Sequence, residues 1–442
     1  MRLIRLLKRD LAKEMAAWVD KDLITTDQAH SICREYDMEY GSTENYSLGY
    51  RLLVSLGYLF IGVAVIILIG ANWDEIPREL RMGSLIAITL ATQGWALRLY
   101  YTGKESSAIG LFMLGNLFYG ASIILVAQIY HLGEHMPNEV FWWALGSLPF
   151  GVLMRNSWLT LFSCLLALLW FFMELSMGFF PALMPVFIVA SVYVLIKGKQ
   201  SALLFMTTAG SIGLWIEALL ARLWVGGHHA FDFHAEHLFV SVALFLFAYA
   251  FSLWLHTRKS SKAKDYGVIL SLWSLRFGLV LMLILCFKEP WKELIRADWN
   301  HLLSMAVIVS ALTVAGLWIG WKAGKLQALL PITIFACLSM LAVVSFSSFA
   351  LTSNGTPEIF FQIIYNIVLV CSGICLIVRG IHDGISHYFF LGVATILMVA
   401  LMRYIDLIGE YIGGAILFMS LAALLLGAAK YWRTQQVKEI KI

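Results

Sequence analysis

EHLFVSVALFLFAYAFSLWLHTRKSSKAKDYGVILSLWSLRFGLVLMLILCF, residues 236–287, decides the fold. Its two apolar stretches, 236–256 and 267–287, flank a connection that carries Arg258, Lys259, Lys262 and Lys264. A helix rises about 1.5 Å per residue, so roughly 20 residues cross a hydrocarbon layer about 30 Å thick. Basic connections stay on the cytoplasmic side of a bilayer. The stretch therefore predicts two antiparallel membrane spans joined inside the cell, with Arg276 the one charge inside the second.

Outward from that pair the pattern repeats along the chain. Spans are predicted near 50–71, 82–101, 108–130, 138–154, 157–173, 178–196, 201–221, 236–256, 267–287, 301–321, 327–349, 358–378, 386–402 and 411–430. The predicted fold class is all-α, a polytopic transmembrane helical bundle of about 14 spans (12–14). Composition agrees: 60% of the 442 residues are apolar or aromatic, 14% are charged and the mean hydropathy is +0.79, whereas soluble domains carry roughly 25% charge. The long alternating strand patterns of a membrane barrel are absent. Pro149, Pro181 and Pro185 interrupt the region 138–196, so one segment there is open to a re-entrant reading.

With the N-terminus inside, 24 basic residues fall on inside segments and 7 on outside loops, with Arg276 completing the 32. That asymmetry predicts a bacterial inner-membrane location with both ends cytoplasmic. It also accounts for the net charge of +4, from which no nucleic-acid partner is inferred. The first 48 residues are polar and helical in pattern rather than a basic tip with a short apolar core, so the first span is expected to remain as an anchor. Cys33, Cys164, Cys286, Cys337, Cys371 and Cys375 follow no disulfide or metal spacing. Cys371 and Cys375 share a helix face and read as small-residue packing.

Residues 1–48 form the one soluble module, ahead of a membrane domain over 49–442. Leu7, Leu11, Met15 and Trp18 recur at helical spacing. After a break near Asp20, Thr25 followed by Gln28 reads as a capping box. Ala29, Ile32, Cys33 and Tyr36 make the apolar face of the second helix. The expected cytoplasmic helical hairpin is too small for a sizeable core of its own. It reads as a cap on the spans or as a docking element.

WVDKDLITTDQAHSICREY (18–36), GANWDEIPRELR (70–81) and GNLFYGASIILVAQIYHLGEHMPNEVFWWALGSLPFGVLMRNSWL (115–159) resemble the bacterial membrane proteins grouped as domain of unknown function 2157. The ending RYIDLIGEYIGGAILFMSLAALLLGAAKYW (403–432) is similar to the C-terminal part of those proteins and of a related uncharacterised family. The resemblance implies a location and an architecture and little chemistry. It also suggests a partner, a small protein of the GDYxxLxY type encoded beside some relatives.

Charges inside a membrane are costly and often functional. Glu217 lies within LWIEALLAR, and Arg222 follows at the outer end of that span. Five residues is a poor spacing for pairing on one helix, so Glu217 is expected to meet another helix or a water-filled cavity. Arg403, Asp406 and Glu410 share one face at the outer end of the thirteenth span, as an ion-pair latch or a ligand site. Gln128 with His131 makes a polar end to the third span. Asn72, Asp74, Glu75, Arg78 and Arg81 form a charged loop after the first, with Trp73 at the interface. All these groups share the predicted outer side.

The loop GGHHAFDFHAEH places His228, His229, Asp232, His234, Glu236 and His237 close together, a candidate metal set in His228, His229, His234 and His237. Its irregular spacing is not a closed tetrahedral motif and better suits a hydrated interfacial loop. HLGEH at 131–135 matches an inverted zinc-protease pattern but overlaps a span end. No phosphate-binding glycine loop and no G-x-S-x-G turn occurs. No cofactor and no enzymatic activity are expected. GLWIG at 316–320 offers a close helix contact, more readily within the chain than between copies. No internal repeat of the transporter type is legible. Two readings follow: a non-enzymatic envelope component that binds partners through its N-terminal hairpin and outer loops, or a secondary transporter or flippase using Glu217 and the Arg403/Asp406/Glu410 face.

Overall fold

The computed structural model describes residues 18–35, 48–71, 77–130, 137–225, 234–350, 357–382 and 384–406, with Met15 and Met419 as single positions. Every regular element among the described residues is a helix. They run α1 (Thr26–Glu35), α2 (Leu48–Ala71), α3 (Arg78–Tyr101), α4 (Glu105–Tyr130), α5 (Pro137–Leu153), α6 (Ser157–Ser176), α7 (Met184–Lys197) and α8 (Ala202–Val225). Then follow α9 (Ala235–Thr257), α10 (Ser261–Ile284), α11 (Lys288–Arg296), α12 (Leu302–Lys322), α13 (Leu326–Ala350), α14 (Pro357–His382) and α15 (Ser386–Asp406). Each described helix from α2 onward falls on a predicted span, except α11, which occupies a predicted outer loop. The span predicted at 411–430 lies outside the described residues.

Among the described residues, α4, α6, α8, α9, α10, α12, α13, α14 and α15 are nine helices long and apolar enough to cross a membrane. The predicted segment at 178–196 is shortened to α7. Its 14 residues reach only about 21 Å at the helical rise. Pro181 lies in the preceding turn and Pro185 in the first turn of α7, where its missing N–H breaks no helical hydrogen bond. Pro149 sits inside α5.

Polarity is distributed as a lipid environment requires. On α12, Leu303 (82% exposed), Val307, Val314, Trp318 and Trp321 line the open side, while Met305, Gly316 and Gly320 are buried. Asn116, Ser147, Thr160 and Ser163 are buried instead. Ser163 Oγ donates to the Ala144 carbonyl on α5 at 2.6 Å, and the Cys164 thiol and the Ser191 hydroxyl lie 2.9 Å apart between α6 and α7. Hydroxyls that return a hydrogen bond to the backbone lose little inside the protein, whereas facing lipid they would lose a partner. Cys371 and Cys375 are exposed, so their shared face does not provide the internal packing the sequence suggested.

The chain divides into two compact units, Met1–Glu139 and Val140–Ile442. In the first, α1 begins with the predicted capping box: Thr25 N–H donates to Gln28 Oε1 at 2.9 Å, and Gln28 N–H to Thr25 Oγ1 at 3.3 Å. Ala29 and Cys33 are buried on this helix, and burial pushes the Cys33 thiol pKa up. Most of the predicted partner helix of the hairpin lies outside the described residues. α3 and α4 pair through Gln93 Nε2, which donates to Asn116 Oδ1 at 3.0 Å, and their turn needs the left-handed Gly103 (φ +79°).

In the second unit, α8 to α15 alternate in direction, α11 excepted. One end gathers Trp224, Phe239, Leu285, Met305, Val343 and Phe361 into a single apolar cluster. At the opposite end, Lys262 Nζ donates to the Gly198 carbonyl at 2.6 Å and Gln200 Nε2 to Asp265 at 2.9 Å. α9 and α12 run parallel. Their N-terminal ends meet through Glu236 and His301, and farther along Gly316 faces Phe247 and Ala250. The GLWIG motif thus packs within the chain. Arg258 lies 3.8 Å over Trp254 and Lys322 3.7 Å over Trp318, cation–aromatic pairs at the C-terminal ends of the two helices.

α14 and α15 form a close hairpin. A Cβ on Gly392 would stand 2.5 Å from the Gly373 carbonyl oxygen and 2.9 Å from the Ile377 nitrogen. These are backbone atoms that cannot rotate away. Gly392→Leu is therefore expected to lower stability in detergent by about 1 to 3 kcal/mol or more, read as a fall in thermal unfolding temperature. Gly278→Ala, where nothing lies within 4 Å, serves as the neutral control.

Candidate functional site

Glu217 sits two-thirds of the way along α8, surrounded in sequence by apolar residues. On α9, His237 and Ser241 are four residues apart and so face the same way. One carboxylate spans both: Glu217 Oε2 lies 2.8 Å from His237 Nδ1, and Glu217 Oε1 accepts from Ser241 Oγ at 2.7 Å. The expectation that Glu217 meets another helix is met in α9. The side chains of His237 and Glu217 are 8% and 15% exposed, which withdraws the pair from most solvent screening.

Glu236 points to a different neighbour. It is fully buried, and its Oε1 accepts from the backbone N–H of His301 at 2.9 Å. His301 precedes the first turn of α12, so the carboxylate satisfies a donor at a helix start where the helix dipole also favours negative charge. Trp224 fits between two imidazoles, stacked on His301 (5.6 Å between centroids, 5° between planes) and tilted to His237 at 4.6 Å. The His234 ring lies 5.9 Å from that of His301.

A second polar group forms where α10, α14 and α15 meet. Arg403 Nε donates to Asn366 Oδ1 at 3.0 Å, and Arg403 Nη2 donates to the Cys286 carbonyl. The same carbonyl accepts from Asn366 Nδ2 at 3.0 Å. With its amide oxygen turned inward, Gln362 accepts from Arg403 Nη1 and Nη2 at 3.0 and 3.1 Å. Cys286 lies in the turn after α10. Burial pushes its thiol pKa up to about 11, against the opposing effect of the Arg403 guanidinium.

The structure thus joins Glu217 to His237, residues that the sequence offered for different purposes. Arg222 is half-buried one turn farther along α8. Of the proposed metal set, His234 and His237 are described and enter separate contacts, with His301 and with Glu217. Among the described residues no group of three or more His, Cys, Asp or Glu side chains is arranged to hold a metal. His228, His229, His131, Asp74 and Glu410 lie outside the described residues, as do the side chains of Gln128, Arg78 and Asp406.

Gln362 and Asn366 were missed, although two amides four residues apart in an otherwise apolar helix are a legible signal of one polar face. Glu174 was missed too. It is buried at the end of α6 and accepts from Trp170 Nε1 at 2.9 Å.

Residues 16–160 match the model of the family described as Predicted membrane protein (DUF2157). The DUF2157 match covers the capping box of α1 and ends within α6, and it accords with the resemblance of segments 18–36, 70–81 and 115–159. Glu217 and Arg403 lie beyond it. No curated protein and no solved structure matches the chain.

Each polar group generates a stability prediction. Glu217→Gln and His237→Ala should each cost about 1 to 3 kcal/mol, while the double variant costs less than their sum by about 1 kcal/mol or more. Thermal unfolding of the four proteins in one detergent measures that coupling. Arg403→Lys should destabilise nearly as much as Arg403→Gln, because one ammonium cannot reach Gln362, Asn366 and the Cys286 carbonyl together.

Proposed function

We propose that this chain is a non-enzymatic component of the bacterial inner membrane that works by binding partners through residues 1–48 and its outer loops. The observation that carries this reading is the engagement of its membrane-region charges. Glu217 and Arg403, the strongest candidates for coupling chemistry, are both committed to partners within the chain. Such groups hold helices in register. α1, by contrast, exposes Asp27, Gln28 and Ser31 beside its buried face, and Leu23 is exposed in the turn before it.

The proposed orientation puts both termini in the cytoplasm. The end of the second unit that joins Lys262 to Gly198 also carries Arg155, Lys197, Lys199, Arg258, Lys259 and Lys264, and a basic end faces the cytoplasm. The aromatic end, with Glu217, Glu236 and Arg403, then faces outward. Besides the lipid bilayer, a small protein of the GDYxxLxY type is the partner suggested by the resemblance. Neither nucleic acid nor a cofactor is part of the proposal.

Chemical crosslinking of the full chain and of a chain lacking residues 1–45, with the captured partners compared, tests the reading. Captured partners should disappear on deletion, while the membrane domain still inserts. An unchanged partner set with an unchanged phenotype overturns it.

The Glu217–His237 pair favours a second reading, a secondary transporter or flippase. A carboxylate shared by an imidazole and a hydroxyl across two spans is a common form for a coupling site. For that reading Glu217→Gln should abolish substrate-dependent flux in vesicles. Flux equal to wild type would remove Glu217 from any mechanism.

A further inference from the structure

The nine-residue helix α11 (KEPWKELIR) is too short to cross a bilayer, and both its ends connect to the same end of the bundle, after α10 and before α12. It therefore lies across that end. Trp291, Leu294 and Ile295 are buried in the aromatic cluster. Trp291 stacks on Phe361 at 4.7 Å and 14°, and its Nε1 donates to the Leu285 carbonyl at 2.7 Å. These contacts fix the rotation of the helix about its own axis.

The remaining surface is sorted by charge. At 100° per residue, Lys288, Lys292 and Arg296 form one row next to the buried arc, and Glu289 and Glu293 lie beyond it. Lys292 and Arg296 are exposed and Lys288 is half-buried. No carboxylate of the described residues forms an ion pair with any of the three. On the proposed orientation, three of the seven basic residues on the outward side belong to this one short helix. Orientation alone does not account for them, since cations on that side oppose the asymmetry that sets it.

We propose that the Lys288/Lys292/Arg296 row of α11 binds the phosphodiester headgroups of anionic phospholipids at the bundle end that it caps. A cationic row at the end of helices long and apolar enough to cross a membrane can extend its long side chains to headgroup phosphates. Charge complementarity selects an anionic lipid over a zwitterionic one. The inference needs only that the chain resides in a membrane, and holds for either reading of its function.

The test uses the full-length protein in a neutral detergent, titrated with phosphatidylglycerol or with phosphatidylcholine. Bound lipid is counted by native mass spectrometry, and thermal unfolding is followed in parallel. Phosphatidylglycerol should bind and raise the unfolding temperature, and phosphatidylcholine should do so far less. Each charge removed should weaken phosphatidylglycerol binding about fivefold, so Lys292→Gln gives an intermediate loss and Lys288→Gln/Lys292→Gln/Arg296→Gln a near-complete one. Glu289→Gln/Glu293→Gln should strengthen binding. Inorganic phosphate at matched concentration should not compete, which separates a lipid headgroup from a free anion. Equal binding of both lipids, phosphatidylglycerol binding unchanged in Lys292→Gln, or displacement by inorganic phosphate would overturn the proposal.

Discussion

Hydrocarbon offers neither donor nor acceptor, so a chain immersed in it must satisfy each backbone N–H and C=O locally and gather its side-chain polarity inward. That constraint explains why apolar stretches become helices and why α12 turns leucine, valine and tryptophan outward while glycine faces α9. It also explains the destinations of the small hydroxyls. Ser163 reaches across to a carbonyl of α5, and Ser191 shares its hydrogen bonds between Cys164 and its own helix. Association between such helices gains little from hydrophobic burial, because lipid tails are as apolar as leucine. Close approach and polar contact must then supply specificity, as at Gly373/Gly392 and at Glu217/His237.

The two charged groups of the second unit use that principle at one end of the bundle. Glu217 draws α8 and α9 together, Glu236 ties α9 to the start of α12, and Arg403 collects α10, α14 and α15. Both groups border the same aromatic cluster, in which Leu220 follows Glu217 by one turn and Tyr365 precedes Asn366. A charge left without its partner beside that apolar mass would be stranded, so each pair also holds the cluster in place. The alternating directions of α8 to α15 follow from these contacts independently of hydropathy. Glu236 and His301 can meet only if α9 and α12 start at the same end, which requires α10 to return between them.

Much of this was legible in the sequence. Span positions follow from runs of apolar residues about as long as a bilayer is thick, and α8, α9, α12 and α13 begin and end within a few residues of expectation. The Thr25/Gln28 box was readable because its two hydrogen bonds are local, reaching three residues along the chain. What spacing cannot supply is the neighbour across a helix interface. The sequence reading separated Glu217 from the histidine loop, since periodicity identifies a face without saying which helix covers it. Proline position was similarly ambiguous. Pro181 and Pro185 signalled an interruption, but only the geometry makes it a turn followed by a helix of 14 residues.

α11 escaped the sequence reading for a related reason. Five charged residues and a proline among nine positions lower the local hydropathy to that of a loop, and its three basic residues entered only as a tally for the outside. The amphipathic order appears once Trp291 is known to face Phe361, because that contact sets the zero of rotation from which the other arcs follow. A charge tally and a charge arrangement thus carry different information. The first orients a chain by summing loops, and is insensitive to where the charges lie within a loop. The second depends on a single buried anchor, and with Trp291 fixed, Lys288 and Lys292 come first after the buried arc, and Arg296 separates them from Glu289 and Glu293. A cation next to an apolar surface can extend its stem along that surface to reach a phosphate, whereas a carboxylate has too short a stem and the wrong sign. The order of arcs around α11 is therefore what distinguishes a headgroup-binding edge from a solvated loop of the same composition.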